Sequence, residues 1–147
     1  MVAFAPMTPE TFLDEWHRIV RERDVLSLAP LLAPDVEIGA PPYWEPFRGA
    51  ALVQHLLGLI LETIEGFTYH REWKMGSELA LEFHGRVGGL ELQGIDLISL
   101  DADGRLRRLD VPMRPVNAVN ALIARIGPRM AEYLAKQSGE PVTEPSP

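Results

Sequence analysis

Two adjacent β-hairpin signals between residues 79 and 113 constrain the fold more than any other part of the sequence. Gly88-Gly89 separates two runs of strand-forming residues, 79–87 and 90–100, and such glycine pairs form two-residue hairpin turns. The sequence DADG at 101–104 provides a second turn, which leads into a strand that continues to Met113. The pattern therefore predicts three consecutive antiparallel strands at the centre of the molecule.

The two faces of these strands differ in chemistry. A two-residue turn places Val87 opposite Leu90, so that counting back along both strands places Leu81 opposite Asp96, and opposed residues share a face. The other face mixes charged and aliphatic side chains. We therefore predict one carboxyl, that of Asp96, in an otherwise apolar interior face made of Leu79, Leu81, Phe83, Gly85, Leu92, Gly94, Asp96 and Ile98.

The remaining elements surround this sheet. Thr8-Pro9 is a helix start signal, and the apolar residues that follow have helical spacing. The proline-rich and aromatic segment 41–47 is predicted to be an ordered loop at a cavity rim. The other predicted elements are a short helix at 25–32, strands at 35–40 and 67–75, a helix at 50–64 and a helix at 116–126 that breaks or kinks at Gly127-Pro128 and continues to 136. In the strand at 67–75, strict alternation predicts that residues 67, 69, 71, 73 and 75 share one face.

This order of elements predicts an α+β domain at residues 1–137, in which N-terminal helices wrap a cone-shaped, curved antiparallel sheet that encloses a single apolar pocket. Residues 138–147 lack an apolar pattern and are predicted to be a flexible tail. The net charge of −7 without a basic stripe argues against nucleic acid as a partner. No run of residues is apolar enough for a membrane span, and no signal peptide is recognised. We therefore expect a cytoplasmic protein.

The chain resembles the nuclear transport factor 2-like superfamily over about residues 8–115. The resemblance rests on Gly94-Ile95-Asp96 followed by Asp101-Ala-Asp-Gly-Arg105, and on the segment from Asp24 to Val36. These segments are similar to those of ketosteroid isomerase and the SnoaL-like cyclases. The resemblance implies the cone fold with its pocket, and it implies that Asp96 is a buried acid that donates a hydrogen bond to a substrate oxygen, the role that such an acid has in ketosteroid isomerase.

Other positions depart from the isomerase pattern. The position of its general base falls at Ala40, which has no proton acceptor. The tyrosine of its first helix falls at Trp16, whose indole donates one N–H, and a supporting tyrosine falls near Leu57. We therefore expect Glu45 at the cavity mouth or His17 on the first helix to be the candidates for a base.

Limonene epoxide hydrolase has the same fold and uses an Arg-x-Asp pair with a second Asp on the last strand. The similar-looking pair here is His84-x-Arg86, which falls on the outer face of the sheet. Asp110 is one residue out of phase for the second acid. The resemblance therefore does not supply the two carboxylates of a water-activating site.

Two interpretations of Asp96 remain open at this stage. One is a structural acid whose hydrogen bonds come from a tyrosine, a tryptophan N–H or backbone groups, or an acid at a partly wet rim. The other is a carboxyl whose pKa is raised by loss of water, so that it stays protonated and donates to a substrate.

The corresponding function hypotheses are a SnoaL-like enzyme of the isomerase, cyclase or hydrolase type and a non-catalytic carrier of a lipophilic small molecule. The enzyme would act on a hydrophobic cyclic carbonyl compound or epoxide, with Asp96 as acid or oxyanion donor. The four histidines show no metal-binding spacing, so we predict neither a metal nor a cofactor. A homodimer through the outer sheet face is expected. The residues predicted to bind substrate are Trp16, Ile38, Ala40, Tyr43, Trp44, Leu57, Leu81, Phe83, Leu92, Leu109, Val111 and Met113.

Overall fold

The computed structural model describes residues 6–139, in which helices pack against a seven-stranded sheet. The predicted tail lies outside the described residues from 140 onward. The helices are α1 (Pro9–Glu22), a short 3₁₀ helix (Val25–Leu31), α2 (Ala50–Thr63) and α3 (Val116–Ser138). The strands are β1 (Leu32–Gly39), β2 (Phe47–Arg48), β3 (Glu65–Met75), β4 (Glu78–Val87), β5 (Leu90–Leu100), β6 (Leu106–Asp110) and β7 (Met113–Arg114).

The sheet is curved and unclosed, with the strand order β2-β1-β6-β5-β4-β3 and with β7 paired to β5. Its pairs are antiparallel except for β1 and β6, which run parallel. The predicted α+β class with a cone-shaped sheet is confirmed. The parallel pair follows from the long connection between β1 and β6, which passes through α2 and the three long strands.

The central hairpin has the register that the sequence predicts. Val87 pairs with Leu90, and Leu81 pairs with Asp96. Gly88 and Gly89 have φ values of 57° and 81°, a left-handed conformation that glycine adopts without steric cost. The alternation of faces on β4 and β5 is therefore fixed by this turn.

A bulge in β3 interrupts the strict alternation that the sequence predicts for residues 67–75. Tyr69 pairs with Phe83, but Glu72 is the residue that pairs with Leu81, so β3 contains one extra residue at this point. The prediction that residues 67, 69, 71, 73 and 75 share a face is therefore wrong beyond Tyr69. As a result, Glu72 reaches α1 on the helix-covered side of the sheet, where its Oε1 lies 2.7 Å from Nε2 of His17.

The first helix begins as predicted. The Thr8 side chain accepts a hydrogen bond from the backbone N–H of Thr11, and Pro9 occupies the first turn. The buried stripe of α1 contains Phe12, Leu13, Trp16 and Ile19. This stripe turns the indole of Trp16, which is 2% exposed, toward the interior of the sheet.

The third helix is continuous through Pro128 and ends at Ser138, and the next residue, Gly139, has the left-handed conformation typical of a helix C-terminus. Its buried side chains pack over α2 and the concave side of β5. Among residues 6–139, no helix has the length and apolar character needed to cross a membrane.

Candidate functional site

Asp96 lies on β5 with its side chain inside the apolar concavity of the sheet. The residue is 6% exposed, and Leu81 is its partner on β4. Two residues before it, Gly94 faces the Phe83 ring so closely that a methyl group on Gly94 would overlap the ring and approach Met113. The absence of a side chain at Gly94 therefore lets the Phe83 ring lie beside Asp96.

A chain of two hydrogen bonds connects Asp96 to the first helix. The Tyr69 hydroxyl donates to Asp96 Oδ2 over 2.5 Å. The indole N–H of Trp16 donates to the same hydroxyl oxygen over 2.9 Å. The Phe67 ring packs edge-on against Tyr69, with ring centroids 5.1 Å apart. The three polar groups are thus held by aromatic packing from α1 and β3.

Burial and hydrogen bonding act on the Asp96 carboxyl in opposite directions. Loss of water raises its pKa to about 7, although the hydrogen bond from Tyr69 favours the ionised form and opposes this rise. The same surroundings and the Asp96 charge raise the pKa of Tyr69 well above 10. Near neutral pH, Asp96 therefore populates both its acid and its carboxylate forms, whereas Tyr69 keeps its proton.

Asp96 forms part of the wall of a cavity with a volume of about 40 Å³. This volume exceeds the about 10–15 Å³ that one water needs, so the cavity admits water or part of a small ligand. The side chains around it are almost entirely apolar, and Asp96 is the one carboxyl among them. The lining residues in the described part of the chain are Trp16, Val20, Leu28, Ala40, Leu57, Ile60, Leu61, Phe67, Tyr69, Phe83, Asp96, Val111, Met113 and Leu122.

A second apolar cavity of about 50 Å³ adjoins the first. It lies between the proline-rich loop 41–46, α2 and α3, and includes Gly127 and Met130 of α3 in its wall. Four residues line both cavities, namely Ala40, Ile60, Met113 and Leu122. The single predicted pocket is therefore divided in two by these side chains.

The residues predicted to bind substrate, Trp44 aside, fall into three groups. Six of them line the first cavity beside Asp96, and Tyr43 lines the second. Four others are fully packed in the core and line neither cavity, because neighbouring side chains cover them. The six are Trp16, Ala40, Leu57, Phe83, Val111 and Met113, and the four are Ile38, Leu81, Leu92 and Leu109.

Trp44, the remaining predicted residue, was expected at the cavity mouth. It is 90% exposed and lines an open surface groove together with Glu45 and Leu97. The loop directs Tyr43 inward against Phe47, with ring centroids 5.6 Å apart. The backbone bends at residues 44 and 45, and Trp44 lines neither of the two cavities.

The candidates for a base do not reach the Asp96 cavity. Ala40 lies in its wall, but its methyl group accepts no proton. Glu45 lies in the outer groove. His17 pairs with Glu72, and both side chains are about one-third exposed. Within residues 6–139, the cavity thus contains one carboxyl and no second acid or histidine.

Sequence reasoning did not identify Tyr69 as the partner of Asp96. The signal in the sequence was its position two residues after Phe67 on β3, which places both side chains on one face. The pairing with Asp96 could not be predicted, because β4 lies between β3 and β5 and the bulge changes the register of β3. The contributions of Ile60 of α2 and Leu122 of α3 to both cavities were also missed, since they depend on how these helices dock.

The described residues contain no group of three or more histidine, aspartate or glutamate side chains placed to hold a metal ion. Each fully buried side-chain nitrogen or oxygen of residues 6–139 has a hydrogen-bond partner. The polar chemistry of the interior site therefore resides in Trp16, Tyr69 and Asp96.

Known structures share this architecture. A steroid delta-isomerase from Pseudomonas aeruginosa is 38% identical, with a TM-score of 0.82, and the match covers 91% of this chain and 99% of that one. An uncharacterised protein with a cystatin-like fold from Silicibacter pomeroyi is 31% identical, with a TM-score of 0.80, and the match covers 86% and 90% of the two chains. An NTF2-like protein of unknown function from Cytophaga hutchinsonii is 14% identical, with a TM-score of 0.60 over 80% and 97% of the chains, and shares the fold alone.

No protein-family model matches the chain, and no curated protein is significantly similar to it. The family is nevertheless established by identity above 30% over nearly the whole of two solved structures, together with the cone-shaped sheet and its interior acid. The chain belongs to the nuclear transport factor 2-like superfamily, as its sequence motifs predict.

Proposed function

We propose that this protein is a small-molecule enzyme that acts on a hydrophobic cyclic carbonyl compound or epoxide. In this proposal, Asp96 is the acid that donates a hydrogen bond or a proton to the substrate oxygen. The observation that carries the proposal is the position of Asp96 in the wall of an apolar cavity, where burial raises its pKa to about 7.

An apolar cavity supports this role in two ways. It binds the hydrocarbon part of a ligand by removing it from water, and it strengthens the interaction between Asp96 and a developing negative charge on oxygen. One preorganised donor of this kind lowers a reaction barrier by about 3 kcal/mol. Tyr69 holds the carboxyl in place while keeping its own proton.

Proton transfer within one bound molecule is the reaction type that best fits a cavity with one carboxyl. In its carboxylate form, which is populated near pH 7, Asp96 can remove a proton from one atom of the substrate and, as the neutral acid that results, return it to another atom. The similar Pseudomonas aeruginosa protein is described as a steroid delta-isomerase, so a steroid ketone is the first substrate to assay. Ala40 occupies the position of the isomerase base, and proton transfer here would depend on Asp96.

Binding of nitrophenols of graded acidity tests the role of Asp96. A phenolate accepts a hydrogen bond from the neutral acid. We therefore expect the affinity to be greatest at pH values between the pKa of the phenol and about 7, the pKa of Asp96. Above that pH, ionisation of Asp96 should lower the affinity tenfold per pH unit. Asp96→Leu should abolish the dependence on phenol acidity.

Asp96→Asn is the matched control for the binding experiment. Its amide can accept from Tyr69 and donate to the phenolate without titrating. We expect this variant to bind the phenolate with no decline above pH 7. Equal, weak binding by the wild type and Asp96→Leu would show that Asp96 does not contact ligands.

Turnover separates the enzyme from the carrier. Cyclic ketones are incubated with the protein in D₂O, and exchange of the hydrogens beside the carbonyl is followed by NMR. The enzyme hypothesis expects exchange or a rearranged product with the wild type and none with Asp96→Leu. Tight binding without either would favour a non-catalytic carrier, which the lack of a second carboxyl or a histidine in the described cavity wall also favours.

We further propose that the protein forms a homodimer through the outer face of the sheet. That face has exposed apolar side chains, with Trp73 47% and Leu97 43% exposed. It also contains Glu82, which is 4% exposed and accepts hydrogen bonds from Arg71 and Gln93. A two-fold arrangement of such alternating charged and apolar groups is self-complementary.

A further inference from the structure

The two hydrogen bonds at Tyr69 have a fixed direction. An indole N–H can only donate, so the proton of the Tyr69 hydroxyl cannot point toward Trp16. The hydroxyl oxygen accepts from the indole over 2.9 Å and directs its own proton to Asp96 Oδ2 at 2.5 Å. Trp16 therefore determines that Tyr69 acts as a donor toward Asp96.

The second oxygen of Asp96 has different surroundings. Oδ1 takes part in no hydrogen bond within residues 6–139, yet each fully buried side-chain oxygen in this part of the chain has a partner. Oδ1 consequently keeps accessible surface, and the accessible space beside Asp96 is the first cavity. When Asp96 is neutral, Oδ2 is occupied by the Tyr69 proton, so the acidic proton belongs on Oδ1.

We propose that Trp16 is a positioning residue which, by orienting the Tyr69 hydroxyl, places the proton of Asp96 on Oδ1 and directs it into the cavity. This inference deepens the proposed function and rests on it for its catalytic meaning. Trp16 does not need to touch the substrate oxygen to act in this way. Its indole N–H acts at a distance, through one intervening hydroxyl.

Few titratable side chains lie next to the hydrogen-bonded series formed by Trp16, Tyr69 and Asp96. The residues that face Asp96 from α2, β4, β7 and α3 are apolar, including Leu57, Phe83, Met113 and Leu122. The hydrogen-bonded pair His17–Glu72 lies on the other side of Tyr69, and the His17 and Tyr69 ring centroids are 5.1 Å apart. The titration of Asp96 is thus transmitted mainly through the Tyr69 hydroxyl.

The wild-type protein offers the first test, which needs no ligand. The indole N–H protons of the three tryptophans are followed by NMR between pH 5 and 9, together with the ¹³C signal of the Asp96 carboxyl. We expect the Trp16 proton to titrate with the same midpoint as Asp96, because Tyr69 couples them. Trp44 and Trp73 are internal controls that should show no such midpoint. A Trp16 signal that is independent of the Asp96 titration would overturn the inference.

Substitutions give the second test. Trp16→Phe removes the N–H and should raise the pKa of Asp96, because a Tyr69 hydroxyl without its donor stabilises the carboxylate less. In a Tyr69→Phe background the same substitution should leave the Asp96 pKa unchanged. Equal shifts in both backgrounds would mean that Trp16 acts only through packing, and the inference would fail.

Phe12→Leu is the packing control, since Phe12 stacks on Trp16 with ring centroids 5.5 Å apart and has no polar group. It should not change the Asp96 pKa. In the wild-type Tyr69 background, and at a pH below 6 where Asp96 is neutral in both proteins, Trp16→Phe should also weaken nitrophenolate binding about fivefold. If Trp16 and Asp96 titrate together but no ligand binds, the proposed function alone is refuted. If ligand binding depends on Asp96 but Trp16 does not titrate with it, this inference alone is refuted.

Discussion

The Tyr69 hydroxyl donates to Asp96 Oδ2 and thereby links β3 to β5 across the intervening strand β4. This bond stabilises the ionised form of a carboxyl that burial destabilises. The outcome of this opposition is a pKa of about 7, which neither an isolated buried acid nor an exposed one would have. The bond also fixes the carboxyl without neutralising it.

Asp96 should make the protein less stable as the pH rises. Its pKa is about 7 in the folded protein, against 3.8 for an ordinary aspartate, so between these values the folded state holds a proton that the unfolded state has released. Relative to Asp96→Asn, the free energy of unfolding of the wild type should fall by about 3 kcal/mol between pH 5 and pH 8. Urea denaturation of both proteins at several pH values measures this difference, and a constant difference would contradict the raised pKa.

Gly94→Ala should destabilise the fold by about 1–3 kcal/mol, as overpacked cores do. The added methyl group would overlap the Phe83 ring and press on Met113, which closes the space beside Asp96. Adding Phe83→Leu should restore part of the lost stability, because the smaller side chain leaves room for the methyl group. Thermal unfolding of the single and double variants checks this. If Phe83→Leu were equally destabilising in both backgrounds, the two positions would not be coupled.

Leu122→Ala should merge the two cavities, since Leu122 lines both. The loss of a buried leucine costs about 2–5 kcal/mol, but the enlarged space should bind a two-ring phenol such as naphthol more tightly than the wild type does. Calorimetry measures the binding. Leu109→Ala is the control, because Leu109 is fully buried and lines neither cavity. It should destabilise the protein without improving naphthol binding.

Glu82 should stabilise the protein in neutral solution and lose this effect in acid. Its hydrogen bond and ion pair with Arg71 lower its pKa from 4.5 to about 2, so the unfolded state binds a proton first as the pH falls. The stability of the wild type should thus decline more steeply than that of Glu82→Gln between pH 5 and pH 2. Urea denaturation over this range measures it. Glu45→Gln, which removes an exposed charge, should keep the wild-type slope.

The proposed dimer predicts a specific effect of a charge at Leu97. We expect the wild type to sediment as a dimer at micromolar concentration and Leu97→Lys to sediment as a monomer, because an unpaired lysine would be buried in the interface. Leu26→Lys is the matched control, since Leu26 is 85% exposed on the 3₁₀ helix away from the sheet. A wild type that is monomeric in this range would refute the dimer.

The sequence determined the central hairpin and its faces. Glycine pairs and the DADG turn are local signals, and the two-residue period of a strand carries their register along the chain. For this reason, the opposition of Leu81 and Asp96 and the apolar setting of that acid could be predicted. The motif around Asp96 was also sufficient to predict the superfamily to which the chain belongs.

Only the tertiary structure decided which groups surround Asp96. The bulge in β3 has no clear local signal in the sequence. Because of it, the Tyr69 side chain points to the inner face of the sheet and the Arg71 side chain points to the outer face. The division into two cavities by Ile60 and Leu122 depends on the docking of α2 and α3. Local patterns specify the direction of a side chain within its own element, whereas contacts between elements distant in the chain depend on how those elements pack. The hydrogen-bonded chain from Trp16 through Tyr69 to Asp96 is such a contact.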